Sequence, residues 1–374
     1  MATRETLEIL YKLKKEILKS ENEDLVSQID HAIMKTYKNQ LVFSFIGHYS
    51  AGKSSLINYM LNQEILPSSP VPTTSNTVSV EIGDSEEIQA FVDQYRYIPL
   101  ENYESLRKLN TRDLDITSIS MNVPHALFRE RTVFQDTPGV DSNTSSHGES
   151  TNRFLLNSDY IFFTVEYNHV ESEHNMKLLK EIADLDIPFS LIINQIDKHD
   201  DRELSMDTFL SRIRRTLDQW SIVPEHVFTT SIYDSPYNEI NQVTKHISEI
   251  EALRDAYEAA YHERIIRNIE DRQLQYLEDA EADLCGQLDI SGEPTREAVE
   301  SHIAYLGNEV EKSGIARLHE DPEALRTHVQ KALKDITSNS YIYPHQVKSA
   351  ITDFLKVLAG EIQPGGLFGK RKKA

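Results

Sequence analysis

The chain has 374 residues, 39% of them hydrophobic, so it is long enough for one large domain or two ordinary domains. Acidic residues outnumber basic residues by 60 to 39, and the resulting net charge of −21 argues against a general nucleic-acid-binding protein. The chain has a single cysteine, its start lacks the apolar core of a signal peptide, and no run approaches ~18 apolar residues. We therefore expect a cytoplasmic protein that meets a membrane only from its cytosolic face.

The first predicted elements are helices. Apolar residues recur at steps of three and four over residues 3–38, with a polar break at 20–24. We expect residues 1–39 to form N-terminal helices whose apolar face packs on a later part of the chain. Residues 41–46 (LVFSFI) then predict a short buried strand, and residues 53–61 predict a helix.

The loop between this strand and helix reads GHYSAGKSS and matches the phosphate-binding pattern of two glycines separated by four residues and followed by Lys and Ser. Glycines let consecutive backbone N–H groups surround a phosphate, and the helix N-terminus adds partial positive charge. We expect Lys53 to reach the β- and γ-phosphates and the Ser54 hydroxyl to hold Mg²⁺. An ordinary glycine turn is the alternative, which the flanking strand and helix disfavour. The predicted nucleotide contacts here are Gly47, His48, Tyr49, Ser50, Ala51, Gly52, Lys53, Ser54 and Ser55.

Residues 65–83 (ILPSSPVPTTSNTVSVEIG) contain three prolines and many Ser and Thr residues, which predict an extended loop that leads into a strand at 77–82. Residues 84–115 are charged and mixed, and we expect a helical excursion there. Two further strands are predicted at 117–123 and 131–135.

The second of these strands runs into DTPGV, and an Asp at a strand tip before Pro-Gly is the second phosphate-site element of nucleotide hydrolases. We expect Asp136 to hold Mg²⁺ through a water, and the Gly139 N–H to donate to the γ-phosphate. Alone the motif is weak, because a turn before a loop looks the same. At ~80 residues after a phosphate loop, and directly after a strand, it becomes a strong signal.

The next part of the chain alternates strands with helices, which predicts a mostly parallel sheet with helices on both faces, an α/β fold, for residues 40–240. The predicted strands and helices lie, in chain order, at 159–165, 171–184, 187–193, 203–220 and 227–230.

One of these strands ends in NQID, whose Asp197 can accept hydrogen bonds from the N1–H and N2–H₂ groups of guanine. Adenine lacks both donors, so it would leave the carboxylate unpaired. The usual guanine-reading pattern has Lys where this chain has Gln195, whose aliphatic stem can cover the base without the charge. Ser231 stands where a backbone N–H normally meets guanine O6. The sequence therefore predicts guanine-nucleotide binding by Asn194, Gln195, Asp197 and Ser231.

From about residue 240 apolar residues step by three or four without a break toward residue 288, and three further helices follow. We expect residues 241–374 to form a helical bundle, a neck or stalk, together with the N-terminal helices. The alternative is a set of helices that caps the sheet of a single domain. Four helices make a short stalk, which leaves open that the chain is part of a longer protein.

In their order and spacing the motifs resemble those of the dynamin superfamily of large GTPases, and most closely the bacterial dynamin-like proteins. The likeness covers about residues 41–235 and implies a P-loop GTPase domain that uses Mg²⁺ to hydrolyse GTP to GDP and phosphate. It implies that Thr74, or alternatively Thr73, senses Mg²⁺ and the γ-phosphate. It further implies that Ser50 helps to organise a catalytic monovalent cation, K⁺ or Na⁺, and that Asp200 lies toward the sugar–base edge.

The resemblance also implies how the enzyme works. Tyr49 stands where eukaryotic dynamins carry a Gln that helps to place the attacking water, and a Tyr cannot do so through an amide. Pairing of two GTPase heads across the nucleotide implies a homodimer or higher oligomer. The expected catalytic residues are Ser50, Lys53, Thr74 and Gly139, and the expected metal ligands are Ser54, Thr74 and Asp136.

The function implied by this likeness is that of a mechanoenzyme that fuses, tethers or protects membranes through nucleotide-dependent head dimerisation. Residues 365–373 (GGLFGKRKK) combine flexible glycines, an apolar tip and basic charge, and are the candidate contact with an anionic membrane surface, although a solvated tail is the plainer interpretation. The alternative function is a regulatory or assembly GTPase whose helical part binds a protein partner without lipid contact. A nucleotide-sensing scaffold that hardly hydrolyses GTP is a third hypothesis, suggested by Tyr49.

Overall fold

A computed structural model describes residues 2–20, 22–66, 77–92, 96–102, 116, 118–137 and 155–287 of the chain. The contacts divide the chain into two compact units. The first unit comprises Met1–Leu10 and Asp30–Arg267, and the second comprises Tyr11–Ile29 and Asn268–Ala374. The candidate site lies entirely in the first unit.

The first unit is built on one mixed sheet, in which nine strands lie within the described residues. The strands are β1 (Leu41–Ile46), β2 (Thr77–Ile82), β3 (Glu87–Phe91), β4 (Tyr97–Leu100), β5 (Ser118–Val123), β6 (Thr132–Asp136), β7 (Tyr160–Glu166), β8 (Phe189–Asn194) and β9 (Val227–Thr230). Their order across the sheet is β4-β3-β5-β2-β6-β1-β7-β8-β9.

Strand β1 lies in the middle of the sheet, parallel to β6 on one side and to β7 on the other. Strands β8 and β9 continue the parallel arrangement beyond β7. On the other side β2 is antiparallel to β6 and parallel to β5. The predicted mostly parallel sheet is therefore confirmed. Because β1, β6, β7, β8 and β9 are parallel, the residues that follow them meet at one edge of the sheet.

Helices cover both faces of this sheet. The helices of the described residues are α1 (Ala2–Ser20), α2 (Glu23–Lys38), α3 (Lys53–Leu61), α4 (Glu173–Asp184), α5 (Met206–Gln219), α6 (Ile240–Ala252) and α7 (Arg254–Gln287). Successive residues of β7 face opposite sides, as the two-residue period of a strand requires. Phe162 packs in one core with α3 and α6, whereas Phe163 packs in the other core with α4 and α5.

The helical excursion predicted for residues 84–115 is wrong in its described part. Strands β3 and β4 form an antiparallel pair there, and β3 also pairs antiparallel with β5. The two strands are only five and four residues long and lie at the edge of the sheet, with most of their side chains partly exposed. Such short runs, within a charged and mixed segment, are too brief to show a clear two-residue period in sequence.

The unbroken helical pattern after residue 240 is interrupted once, at Leu253, where α6 ends and α7 begins. In the second unit, side chains of the N-terminal helices and α7 form hydrogen bonds: Gln28 Nε2 donates to Asn268 Oδ1 (3.2 Å), and Gln273 Nε2 donates to Ser20 Oγ (2.8 Å). The stalk itself stays a prediction, because residues 288–374 lie outside the described residues. Among the helices described, none is both long enough and apolar enough to cross a bilayer.

Candidate nucleotide site

The phosphate-loop sequence joins the end of β1 to the start of α3 and includes a short 3₁₀ turn at Tyr49–Ala51. Its two glycines are sterically required. A Cβ atom on Gly47 would collide with the carbonyl oxygen of Thr164 in β7. Gly52 has a φ of +83°, and a Cβ there would lie 2.5 Å from Asn194 Nδ2. The loop is thus packed closely against β7 and β8, which lie on one side of β1.

Lys53 is the first residue of α3 and is almost fully buried, with 4% of its surface exposed. Its Nζ donates to the carbonyl oxygens of Gly47 (2.8 Å) and His48 (2.9 Å). The ammonium group is therefore held inside the curve of the loop, at the N-terminus of a helix. Both features favour an anion at this position.

Ser54 and Asp136 bring the first loop and the second phosphate-site motif together. The Ser54 hydroxyl donates to Asp136 Oδ2 (2.5 Å), while the buried Asp136 Oδ1 has no hydrogen-bond partner among the described residues. Burial raises the pKa of Asp136 above its usual value, against the opposing effects of the Lys53 charge and the Ser54 hydrogen bond. A hydroxyl beside a carboxylate with an unused oxygen fits the hard oxygen ligands that Mg²⁺ prefers.

Two predicted residues of this half of the site, Thr74 and Gly139, lie outside the described residues, as does the alternative Thr73. Ser55 lies in the first turn of α3, and the backbone of Tyr49 lies in the 3₁₀ turn. The ring of His48 lies 5.1 Å from that of His174, at the start of α4.

The guanine-reading motif contacts the phosphate loop directly. Asn194 Nδ2 donates to the carbonyl oxygen of Ala51 (2.8 Å), and Gln195 Nε2 donates to that of Ser50 (2.9 Å). Thr230 in β9 donates to Asn194 Oδ1 (3.0 Å) and fixes the amide. Two successive side chains of the guanine-reading motif thus donate to two successive carbonyls of the phosphate loop. These bonds fix the position of the base-reading residues relative to the phosphate loop.

Asp197 lies in a 3₁₀ turn after β8 and is exposed, and its Oδ1 accepts a hydrogen bond from the Ser231 hydroxyl (2.5 Å). The Ser231 N–H, expected to meet guanine O6, donates to Asn238 Oδ1 (3.1 Å). Asp200 forms an ion pair with Arg202 (2.5 Å), which lowers the pKa of this carboxyl. The predicted base-reading residues therefore lie together at the carboxyl ends of β8 and β9.

Residues 44–197, which span this loop, the DTPG element and the guanine motif, match the family model of the dynamin family. This part of the chain is similar to the dynamin family. The resemblance inferred from the motifs is confirmed.

Two relatives of this chain are longer than the chain itself. It is 26% identical over its whole length to dynamin-like protein A of Bacillus subtilis (strain 168), of which it covers 31%. It is 25% identical over 44% of its length to an uncharacterised protein from the xynA 3′ region of Caldicellulosiruptor sp. (strain Rt8B.4), of which it covers 42%. The chain therefore spans less than half of the length of these two relatives.

A solved structure of a bacterial dynamin, described as an oligomerised pair that senses and tethers membranes over long range, superposes with a TM-score of 0.51 at 16% identity. The superposition covers 81% of this chain and 49% of the other. At this identity the likeness concerns the fold, and it agrees with a dynamin head whose sheet is mostly parallel.

Sequence reasoning missed a set of side chains that supports the predicted base-binding end of this site. His199 is buried directly after the guanine motif, and its ring nitrogens contact Tyr167 Oη (2.9 Å) and Asp201 Oδ1 (3.2 Å). Tyr237 donates its hydroxyl to Asp201 Oδ2 (2.5 Å). The sequence NQIDKHD contains the His, but nothing in its spacing indicates that Tyr167 contacts the His or that Tyr237 contacts Asp201.

Asn58 is a second residue that the motifs did not reveal. From α3 its Oδ1 accepts the N–H groups of Ile65 (3.2 Å) and Leu66 (2.8 Å), and its Nδ2 donates to the carbonyl oxygen of Leu66 (2.7 Å). It therefore fixes the backbone at the start of the extended loop predicted from residue 65. An Asn on the polar side of a short helix gives no signal of this in sequence.

Proposed function

We propose that this protein binds GTP with Mg²⁺ and hydrolyses it to GDP and phosphate. The observation that carries the proposal is the Ser54–Asp136 contact, in which one buried carboxylate oxygen has no hydrogen-bond partner among the described residues. Burial raises the pKa of Asp136, and the charge of the buried Lys53 ammonium opposes that rise. A carboxylate, a hydroxyl and a cation together are what a Mg²⁺-bound phosphate chain requires.

In this proposal some residues of the site stabilise the negative charge of the phosphates, and others position the γ-phosphate and the metal ion. Lys53 and the loop N–H groups hold the phosphate charge, and Gly139 and Ser50 act at the γ-phosphate as the resemblance implies. Ser54 and Asp136, with Thr74, would hold Mg²⁺, which when bound supplies positive charge against the phosphate oxygens. Catalysis of in-line attack by water is then positioning plus charge stabilisation, with no covalent protein intermediate.

Asp197 supplies base selectivity in this proposal. Guanine offers two donors to its carboxylate, and an adenine in the same place leaves the carboxylate unpaired. The exposed position of Asp197, with one oxygen already bonded to Ser231, leaves the carboxylate accessible from solvent. Asp200 contributes at the sugar–base edge.

We extend the proposal to membranes and to assembly. The solved relative is described as an oligomerised bacterial dynamin pair that senses and tethers membranes. By analogy this chain acts at the cytosolic face of an anionic membrane, and two heads pair across the nucleotide to complete the site, as a homodimer or a higher oligomer. In this proposal, release of residues 65–76 and 136–150 after hydrolysis then changes the angle of the helical part.

The nucleotide proposal is tested with the purified full chain, by fluorescence titration with labelled GDP or ADP and by phosphate release from GTP or ATP. Lys53→Ala is expected to weaken GDP binding at least about tenfold, because it removes hydrogen bonds from a charged group to the phosphates. Asp136→Asn is expected to lower Mg²⁺-dependent turnover while GDP still binds. Lys180→Ala, at an exposed i,i+4 ion pair on α4, is the matched control. A preference for ATP, or unchanged GDP binding by Lys53→Ala, would overturn the proposal.

The membrane proposal needs a separate test. GTP turnover is measured against protein concentration, with and without anionic liposomes, and co-sedimentation is compared for the full chain and a chain without its final ten residues. Turnover per molecule that rises steeply with concentration supports head pairing. Absence of lipid binding in both nucleotide states would instead favour the regulatory GTPase that binds a protein partner.

A further inference from the structure

Gln195 stands where the usual guanine motif carries a lysine, and the structure shows that both ends of its amide are engaged. Its Nε2 donates to the Ser50 carbonyl oxygen in the phosphate loop (2.9 Å), and its Oε1 accepts a hydrogen bond from Lys198 Nζ (2.5 Å). The residue has a φ of +63°, a conformation that non-glycine residues rarely adopt. In this backbone conformation the side-chain amide of Gln195 bridges the Ser50 carbonyl of the phosphate loop and the Lys198 ammonium.

Lys198 is held from a second side. Its Nζ lies 2.6 Å from Glu166 Oε1, at the end of β7. The Lys198 side chain is 42% exposed and that of Glu166 18% exposed. The ammonium thus lies between two acceptors, one residue after Asp197 and at the edge of the sheet where the nucleotide site is formed.

We propose that Lys198 supplies the positive charge that the usual motif carries at position 195. Gln195 links this charge to the phosphate loop, because its amide accepts a hydrogen bond from Lys198 and donates one to the Ser50 carbonyl. The inference rests on the proposed function, because it concerns a guanine nucleotide bound at Asp197. Lys198 is then a positioning residue: it orients the Gln195 amide toward Ser50 and fixes the turn that presents Asp197.

Two physical effects support this role. An amide that accepts a hydrogen bond from an ammonium is polarised, so its own N–H group becomes a stronger donor to Ser50. The ammonium also pairs with Glu166, so its removal leaves that carboxylate at the end of β7 without this counter-charge. The plainer interpretation is a surface ion pair of the kind that contributes little to stability. The two interpretations predict different Kd values for GDP when Lys198 is replaced, or when the lysine is placed at position 195 instead.

The test uses the full chain with Mg²⁺ and a fluorescent GDP. Lys198→Ala is expected to raise the Kd for GDP about tenfold, because the Gln195 amide and the turn that presents Asp197 lose the ammonium that orients them. Gln195→Lys combined with Lys198→Ala returns the ammonium to the usual position and is expected to restore the Kd to within about threefold of the parent. Lys180→Ala is expected to leave the Kd unchanged. Lys198→Gln serves as a second neutral variant, and thermal unfolding without nucleotide shows whether each variant is folded.

A Kd for Lys198→Ala and Lys198→Gln equal to that of the parent would overturn the inference, as would a double variant that binds as weakly as Lys198→Ala. Asp197→Asn separates this failure from that of the proposed function. If Asp197→Asn loses GDP binding while Lys198→Ala does not, only the role of Lys198 is refuted. If the parent chain binds no guanine nucleotide, the proposed function itself is refuted.

Discussion

The buried ion pair between Lys35 and Asp159 offers a sharp test of what stabilises the first unit. Lys35 Nζ, on α2, lies 2.8 Å from Asp159 Oδ1 just before β7, and the two side chains are 6% and 0% exposed. Asp159 Oδ2 accepts the Val42 N–H (2.7 Å), and the Lys35 ammonium lies 3.0 Å from the centre of the Tyr261 ring. Every charge in this cluster is therefore removed from water.

Burial lowers the pKa of Lys35 from 10.5 to about 8, although the attraction of Asp159 acts in the opposite direction. That difference corresponds to about 3 kcal/mol against the charged lysine in the folded state. The desolvation cost thus exceeds the gain from the pair, as is common for buried ion pairs. Lys35→Met alone leaves Asp159 without its counter-charge, and we expect a loss of about 3–5 kcal/mol of unfolding free energy.

The double variant Lys35→Met with Asp159→Asn removes both charges, and the Asn oxygen still accepts the Val42 N–H. We expect it to be at least about 2 kcal/mol more stable than Lys35→Met, and close to the parent. Urea unfolding is followed by the fluorescence of Trp220, the only tryptophan, which packs on the core of the first unit formed with α4 and α5. The signal therefore reports on this unit of the full chain.

The same pair gives a pH dependence with a definite sign. Because the folded-state pKa of Lys35 is below the unfolded value, the unfolded chain binds more protons between about pH 8 and 10.5. The stability of the parent relative to the double variant is therefore expected to rise across that window. A Lys35→Met variant within about 1 kcal/mol of the parent, or a double variant no more stable than Lys35→Met, would refute the reasoning.

Three further substitutions probe other parts of the first unit. Gly47→Ala forces a Cβ atom into a backbone carbonyl of β7, so we expect a loss of at least about 3 kcal/mol in urea unfolding, and a loss below about 1 kcal/mol would contradict this. Asn58→Ala removes three hydrogen bonds to the backbone, so hydrogen exchange at residues 65–66 should accelerate at least about tenfold while exchange in α5 is unchanged. Burial and the neighbouring His226 lower the pKa of His246 below 6.5, so the unfolded state binds more protons and stability falls as the pH drops below 6.5. His246→Gln should flatten that fall, and an equally steep fall in the variant would refute the assignment.

The parts of the fold that could be predicted from sequence are those whose signal is local. Strands β1 and β9 and helix α3 have the predicted bounds, because each is a compact apolar segment next to a turn or loop motif. Strands β3 and β4 were missed because runs of five and four residues are too short to establish a two-residue period within a charged segment. The break at Leu253 was missed because the apolar residues keep their helical step on both sides of it.

The candidate site divides in the same way. Lys53, Ser54 and Asp136 could be proposed from sequence because glycine spacing and a Pro-Gly turn mark them, and the structure brings them together. The residues that support the motifs could not. Asn58 and Asn238 act through side-chain hydrogen bonds to backbone groups that are seven or eight residues away, and such contacts depend on loop geometry that no periodicity encodes.

Strand β7 shows why the two main sets of variants report on different properties. Asp159 precedes its first residue and holds Lys35, whereas Glu166 is its last residue and holds Lys198. At a rise of about 3.3 Å per residue the two ends are roughly 20 Å apart, and the residues between them are buried on both faces of the sheet. Substitutions at the Lys35 end change the energetic cost of buried charge, away from the nucleotide site. We therefore expect them to change the free energy of unfolding. Substitutions at the Lys198 end change a partly exposed charge beside the nucleotide site. We therefore expect them to change the Kd for GDP.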